Sequence, residues 1–155
     1  MPPRHERGMP QPRLAVRALI LHDERLLVVN AWPGGTSDLW CAPGGGVEAH
    51  ASLPDNLIRE VTEETGLTVA VGAPAFVNEF HDPDGGFHQV EVFFRARIVA
   101  GRLDPGWTDP EGVVDRRRLV TRAGLAALRH KPDSLAAHAW GGGAPAYDPL
   151  ERLVR

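Results

Sequence analysis

Alternating apolar and polar positions predict strands in two parts of the chain. From Leu14, the runs LAVRALILH and RLLVVNAW are separated by the polar residues 23–24, which predicts a hairpin or two neighbouring strands. Farther along, LTVAVGAPAFVNEF and FHQVEVFFRARIVA predict two long strands that flank a DPDGG turn at residues 82–86. The segment between these two pairs of strands has a different period, which is typical of a helix.

That segment, GGGVEAHASLPDNLIREVTEETGL at residues 44–67, predicts a capped helix from about Leu53 to Thr65. Ser52 is suited to the N-cap, because its hydroxyl can accept a hydrogen bond from a free backbone N–H of the first turn. Pro54 lies in that first turn, where a missing N–H costs nothing. Gly66 fits the left-handed position just after the helix.

Three glutamates lie next to the apolar side of this helix. The apolar side should face a sheet, whereas like charges at helical neighbour spacing repel by about 0.2–0.5 kcal/mol per pair. A purely structural helix has no reason to collect them. Carboxylates in this arrangement suit Mg²⁺ or Mn²⁺, and one of them can accept a proton from an attacking water. Together with backbone groups of glycines 44–46, they predict hydrolysis of a phosphoanhydride by Glu60, Glu63 and Glu64.

The remaining pattern predicts an α+β domain. Residues 101–112 read as a loop, and VTRAGLAALRH at residues 120–130 predicts a second helix with Thr121 as its N-cap. The segment beyond this helix is predicted to be mostly irregular. Strands, one capped helix, more strands and a second helix favour α+β or a sheet between helices. Proline, arginine and glycine near the start predict a flexible tail at residues 1–12, which leaves residues 13–155 as one domain.

Composition narrows the function classes. With 155 residues, 43% of them hydrophobic, the chain is large enough for one packed core. A net charge of -3 without a long basic run makes duplex nucleic acid an unexpected partner, and no stretch has transmembrane length. Cys41 is the only cysteine, which excludes an intrachain disulfide and a thiolate zinc cluster. A cytoplasmic location without a membrane partner is the simplest interpretation.

The helical segment and its glycine loop resemble the Nudix box, the signature of the Nudix hydrolases. The resemblance implies an α/β/α sandwich with a mixed central sheet, and Mg²⁺ or Mn²⁺ as the cofactor. It implies hydrolysis of a nucleoside diphosphate linked to another group, such as a nucleotide or a nucleotide sugar. A homodimer is also possible, since many relatives dimerise. The box positions present here are Gly45, Arg59, Glu60, Val61, Glu63, Glu64, Gly66 and Leu67.

The same resemblance assigns roles to these residues. It implies that Glu63 and Glu64 are the main metal ligands, assisted by the carbonyl of Gly44. Glu60 is either a further ligand or the general base, and Arg59 orients Glu60 through charge-assisted hydrogen bonds. For an additional acidic residue from a later loop, Glu111 is the nearest candidate.

One position departs from the family pattern, and it keeps a second interpretation open. Ala51 stands where the box has its first glutamate, His50 precedes it, and Glu48 lies nearby but off the box position. The missing carboxylate could weaken the binding of a metal ion or leave a poor enzyme. The alternative is therefore a nucleotide-binding or regulatory module of the same fold with little hydrolysis.

Two tryptophans in loops rich in glycine and proline are candidates for contact with the substrate. Trp32 and Trp107 could each offer a stacking face to a base. Pro83 lies at a distance from the box that resembles a marker of the ADP-ribose-hydrolysing branch of the family, although proline is also ordinary in a turn. The base, the sugar and the linked group stay open, because loops outside the box select them.

Overall fold

A computed structural model describes residues 11–155, so most of the predicted tail at residues 1–12 lies outside the described residues. The predicted boundary between this tail and one domain at residues 13–155 therefore stays a prediction. In chain order the elements are β1 (Arg13–His22), β2 (Arg25–Asn30), β3 (Trp40–Cys41), β4 (Gly44–Gly46), α1 (Leu53–Thr65), β5 (Thr68–Asp82), β6 (Phe87–Ala100), β7 (Arg117–Val120), α2 (Arg122–Ala126), α3 (Leu135–Trp140), β8 (Ala146–Tyr147) and β9 (Glu151–Arg152).

The strands form one mixed sheet. Its order is β3-β2-β1-β6-β5-β8, with β4 beside β1, β7 beside β2 and β9 beside β5. The two predicted pairs, β1 with β2 and β5 with β6, are antiparallel. β1 and β6 run parallel and place Ala15 opposite Glu91. This parallel pairing joins the two predicted hairpins into one sheet, and local patterns did not predict it.

The helix α1 begins and ends where its capping residues predict. Ser52 Oγ accepts the backbone N–H of Asp55 at 3.0 Å, and Gly66 is left-handed with φ 74°. Leu57 and Val61 are fully buried against the sheet. They belong to an apolar cluster with the even-numbered residues of β1, Val16, Ala18 and Ile20.

The opposite face of the sheet is covered by α2 and α3. Leu125 and Leu135 are fully buried in a second apolar cluster, which also contains Leu19 of β1. Adjacent residues of β1 thus face different layers, as the period of a strand requires. The structure is an α/β/α sandwich with a mixed sheet, which confirms the predicted fold class.

The C-terminal part of the chain differs from its prediction. The helix capped by Thr121 is only five residues long, and the segment predicted to be irregular contains α3, β8 and β9. These elements are too short to show a period, and they form because tertiary contacts with the sheet stabilise them. Within residues 11–155, no helix is both long and apolar enough to cross a membrane.

Candidate active site and the cavity beside it

Three carboxylates meet at the edge of α1. Glu60, Glu63 and Glu111 each offer one oxygen, and these oxygens lie within 4.8 Å of one another. Glu60 and Glu63 come from successive turns of the helix, whereas Glu111 comes from the loop between β6 and β7. We call these three residues the carboxylate cluster. The structure thus brings the acidic residue predicted from a later loop next to two predicted residues of the helix.

Buried Asp109 fixes the loop that carries Glu111. Its carboxylate accepts the backbone N–H groups of Glu111 at 2.9 Å, Val113 at 3.2 Å and Val114 at 2.9 Å. Three backbone bonds to one carboxylate restrict the conformation of the loop, because each bond satisfies a group that would otherwise need water. Asp109 is therefore a structural residue of this loop, and Glu111 is the residue that the loop presents.

Arg59 connects the carboxylates of the cluster on α1. Its Nη1 lies 3.1 Å from Glu60 Oε1 and 3.4 Å from Glu63 Oε2. A further bond from Nη2 to Asn56 Oδ1, at 3.1 Å, holds the guanidinium in place. Burial raises the pKa of Glu60, and the charge of Arg59 opposes this rise. Arg59 thus contacts Glu60 directly, and its orienting role stays a prediction.

Gly45 leaves the space that Glu60 occupies. A Cβ added at residue 45 would lie 2.6 Å from the carboxyl carbon of Glu60, well inside van der Waals contact. Only glycine lets the backbone come so close to a carboxylate. The glycine loop and the helix therefore fit each other at a specific pair of residues.

Glu64 lies beside the cluster but faces a different set of partners. It is 7% exposed and accepts the backbone N–H of Gly44 at 3.2 Å. Burial raises the pKa of Glu64 to about 8, while Arg17 and the Gly44 N–H act in the opposite direction. The Gly44 carbonyl accepts Arg17 Nη1 at 3.4 Å. The two predicted ligands are thus bonded to each other through the Gly44 N–H, and the Gly44 carbonyl is bonded to Arg17.

Ala51 lies in the exposed turn before α1. Its carbonyl accepts Asn56 Nδ2 at 3.3 Å, so the residue contributes backbone to the start of the helix. The carboxylate of Glu48 lies 3.7 Å from Arg59 Nη1 and is largely exposed. An acidic group thus approaches Arg59 from this turn, although it comes from Glu48 and not from the box position.

A cavity of about 370 Å³ is lined by separate segments of the chain, among them Arg17, which donates to the Gly44 carbonyl of the glycine loop. Its wall includes Trp32, which was predicted to contact the substrate. The indole N–H of Trp32 donates to the carbonyl of Val154 at 3.2 Å, and the guanidinium of Arg155 lies 5.3 Å from the ring centroid. The last residues of the described chain therefore form one side of the cavity.

Trp107 lies elsewhere, at the C-terminal end of α1. Its indole N–H donates to the carbonyl of Glu63 at 2.8 Å, and a Cβ at Gly66 would lie 2.8 Å from its ring. The side chain covers the end of the helix and does not line the cavity. Contact between Trp107 and a substrate stays a prediction.

Sequence patterns missed a buried ion pair in the wall of the cavity. Arg17 Nε donates to Glu91 Oε2 at 2.6 Å, and both residues line the cavity. Arg17 also donates to the carbonyl of Ala42 at 3.1 Å, next to the glycine loop. Arg17 and Glu91 could each be noticed in the sequence as a charged residue at an inward position of an apolar strand. Their pairing depends on the parallel register of β1 and β6, which no local pattern shows.

Comparisons with known proteins agree on one family. A family model described as a NUDIX domain matches residues 11–140. The ADP-ribose pyrophosphatase of Methanocaldococcus jannaschii is 28% identical over 95 residues, which cover 61% of this chain and 56% of that protein. The Bacillus subtilis protein YjhB is 26% identical over 104 residues, 65% of this chain and 49% of that protein. The chain thus spans about half the length of these two relatives.

A solved structure extends the likeness to the fold. The crystal structure of a UDP-X diphosphatase superposes with a TM-score of 0.70 at 20% identity and covers 95% of this chain and 71% of that one. At this identity, the superposition supports the shared fold of the two chains.

Proposed function

From the premise that the chain belongs to the NUDIX family, we propose that it is a pyrophosphohydrolase. We propose that it cleaves a phosphoanhydride in a nucleoside diphosphate linked to another group. The observation that carries the proposal is the convergence of Glu60, Glu63 and Glu111, with Arg59 bonded to the two helical members. The relative named ADP-ribose pyrophosphatase supports this class of substrate, because ADP-ribose is such a compound.

The donor set of the cluster fits a divalent cation. Carboxylate oxygens are hard ligands of the kind that Mg²⁺ and Mn²⁺ prefer, and three of them lie within 4.8 Å of one another. Glu63 and Glu111 would hold the ion together with Glu64 and the Gly44 carbonyl, the ligands that the resemblance implies. A bound ion would acidify water and neutralise charge on the phosphates. We propose Mg²⁺ or Mn²⁺ as the cofactor on this basis.

Glu60 is suited to accept the proton of the attacking water. A general base works best when its pKa lies near the working pH, and burial raises the pKa of Glu60 above its ordinary value. Arg59 holds one oxygen of Glu60, so the other oxygen keeps a fixed direction. In the proposed reaction, water forms a bond to phosphorus, Glu60 takes its proton, and the bond between phosphorus and the bridging oxygen breaks.

The test is a hydrolysis screen with Mg²⁺ and with Mn²⁺. Substrates are ADP-ribose, nucleotide sugars, dinucleoside polyphosphates, nucleoside triphosphates and oxidised nucleotides. We expect cleavage of at least one nucleoside diphosphate derivative, and a loss of about a hundredfold or more in Glu63→Gln and Glu64→Gln. Glu79→Gln is the matched control, because Glu79 bonds to His88 and Tyr147 and lies outside both the cluster and the cavity.

A different result would favour the second interpretation. If the folded protein binds nucleotides but cleaves none of them with either ion, the chain is a binding or regulatory module. Cleavage that both glutamine variants retain would show that Glu63 and Glu64 are not part of the active site.

Assembly and location are separate proposals. A homodimer and a cytoplasmic location rest on the family resemblance and on composition. Light scattering during size-exclusion chromatography tests the first, and fractionation of cells that express the full chain tests the second. A monomer at micromolar concentration, or recovery outside the cytoplasmic fraction, would contradict them.

A further inference from the structure

Two buried side-chain amides line the cavity, and they differ in their hydrogen bonds. Gln89 is 2% exposed, and its amide accepts Arg13 Nη1 at 2.8 Å and donates to Glu91 Oε2 at 3.0 Å. Asn78 is 4% exposed, and its Oδ1 has no hydrogen-bond partner among residues 11–155. Buried polar atoms in proteins are nearly always paired, so an unpaired one in a cavity wall indicates a missing partner.

The sheet explains why Asn78 lies among these groups. β5 and β6 place Asn78 opposite Glu91 and Phe80 opposite Gln89. Residues two apart on a strand share a face, so these four side chains lie on one face of the sheet and line one cavity. Glu91 uses Oε2 for its bonds to both Arg17 and Gln89. The neighbours of Asn78 are thus bonded to one another, whereas its own oxygen has no partner in the described part of the chain. That oxygen is closed to water in this conformation, and a rotation of the side-chain amide would turn it toward the cavity.

The rest of the lining has two properties of a base-binding site. Three aromatic side chains, Trp32, Phe80 and Phe87, contribute to the wall and offer apolar ring surface. The charged side chains are five basic and two acidic residues, in a chain whose net charge is -3. An aromatic group that carries an anionic extension fits both properties. The charged residues are Arg13, Arg17, Lys131, Arg152, Arg155, Glu91 and Glu151.

We propose that the cavity binds the nucleobase of the substrate and that Asn78 selects the base through its amide. An amide presents an acceptor and a donor side by side, which matches the edge of a base that carries both. A base presents a flat π face to the aromatic wall, which a sugar does not. Arg17 lies between the cavity and the glycine loop, so the diphosphate would extend past it toward the carboxylate cluster. This inference rests on the proposed function, whose substrate it narrows.

The experiment measures binding without hydrolysis. AMP, GMP, CMP, UMP and ribose 5-phosphate are titrated into the metal-free protein, by calorimetry and by indole fluorescence. We expect at least one nucleotide to bind about tenfold or more tightly than ribose 5-phosphate, which has no base. Asn78→Leu should weaken the binding of the preferred nucleotide by about tenfold and reduce the differences in affinity among the four nucleotides. Glu79→Gln, the neighbouring position outside the cavity, should bind like the unchanged protein.

A second readout separates selection of the base from support of the fold. Leucine has the same branched skeleton as asparagine, the cavity gives room for its bulkier methyl groups, and it leaves no buried amide unpaired. Asn78→Leu should therefore keep or raise the midpoint of thermal unfolding. Weaker binding in a variant that is at least as stable supports a direct contact. If Asn78→Leu does not fold, Asn78→Asp takes its place in the binding experiment. Asn78→Asp should change the order of affinity among the four nucleotides.

The outcomes distinguish this inference from the proposed function. Equal binding of ribose 5-phosphate and the nucleotides, no binding of any nucleotide, or unchanged binding in Asn78→Leu overturns the assignment of the cavity. The assignment is also overturned if Asn78→Leu hydrolyses the substrates of all four bases with the KM values of the unchanged protein. The hydrolase would still stand. Binding that depends on Asn78 without any hydrolysis leaves the cavity assigned and removes the hydrolase.

Discussion

The carboxylate cluster and the cavity are connected through the glycine loop and Arg17, but the chain builds them in different ways. Two of the three carboxylates in the cluster come from adjacent turns of α1, and the third comes from one loop. The lining of the cavity comes from β1, the Trp32 loop, β3, β5, β6, residues 131–132 and residues 151–155. The comparison indicates that the acidic chemistry is encoded locally, whereas the shape that receives the substrate depends on long-range pairing.

This division predicts which kinetic parameter each region controls. Groups in the cluster act on the reacting phosphate, so their removal should lower kcat. Groups in the cavity hold the part of the substrate that does not react, so their removal should mainly raise KM.

The largest effect is expected in the cluster, from Glu60→Gln. The amide keeps the size of the side chain but cannot take a proton, so kcat should fall by about 10²–10⁴-fold. KM should change little, because Glu60 does not line the cavity. Steady-state kinetics at saturating Mg²⁺ checks both parameters, and a normal kcat would remove Glu60 from the role of base.

The next effect is on stability, from the ion pair that joins the two regions. Arg17→Met leaves Glu91 buried without its cation, and such a loss costs about 3–5 kcal/mol. The double variant with Glu91→Leu should recover much of the free energy of unfolding, because no unpaired charge stays buried. Urea unfolding measures both variants.

An exposed ion pair provides the control for that measurement. Asp38 pairs with Arg129 at 2.8 Å, and its side chain is 80% exposed. Asp38→Ala should therefore change the free energy of unfolding by about 1 kcal/mol or less. If Arg17→Met is no more harmful than Asp38→Ala, the buried pair does not hold the two regions together.

A smaller effect is expected from pH. Glu64 has a folded pKa of about 8, above the ordinary value of a glutamate. The folded state therefore holds a proton that the unfolded state releases, so this stabilisation is present at acid pH and is lost as pH rises toward 8. The midpoint of thermal unfolding of the metal-free protein should fall from pH 5 to pH 8, and the fall should be smaller in Glu64→Gln.

Divalent metal should oppose this fall in stability. An ion binds the carboxylate form of its ligands, so added Mg²⁺ or Mn²⁺ should raise the midpoint most at the alkaline end. Parallel pH profiles for the unchanged protein and Glu64→Gln would show that Glu64 is not the group responsible.

The smallest effect is expected from Ala51→Glu, which restores the family residue. Residue 51 is exposed, and Glu48 already approaches Arg59 at 3.7 Å. An added surface charge contributes about 1 kcal/mol or less, so kcat should change by less than about fivefold. A much larger gain would show that the natural chain lacks a carboxylate that the reaction needs.

The predictability of the site follows the same division. Arg59, Glu60 and Glu63 are recognisable because helical spacing alone brings them together. Glu111 is predicted only as the nearest acidic residue of a later loop, and the three backbone bonds of Asp109 place it in the cluster. Trp107 looked equivalent to Trp32 in its loop composition. The fold instead packs Trp107 on the end of α1, which its neighbours in the sequence do not indicate.

Local physical chemistry accounts for what could be read from the chain. Capping at Ser52 and Gly66 specifies the bounds of α1, and alternation specifies the long strands, because both depend on residues a few positions apart. The parallel register of β1 with β6 and the pairing of β9 with β5 depend on contacts between distant segments. Those contacts bring Arg17 to Glu91 and leave Asn78 without a partner in a cavity wall, so this half of the site becomes visible only in the folded chain.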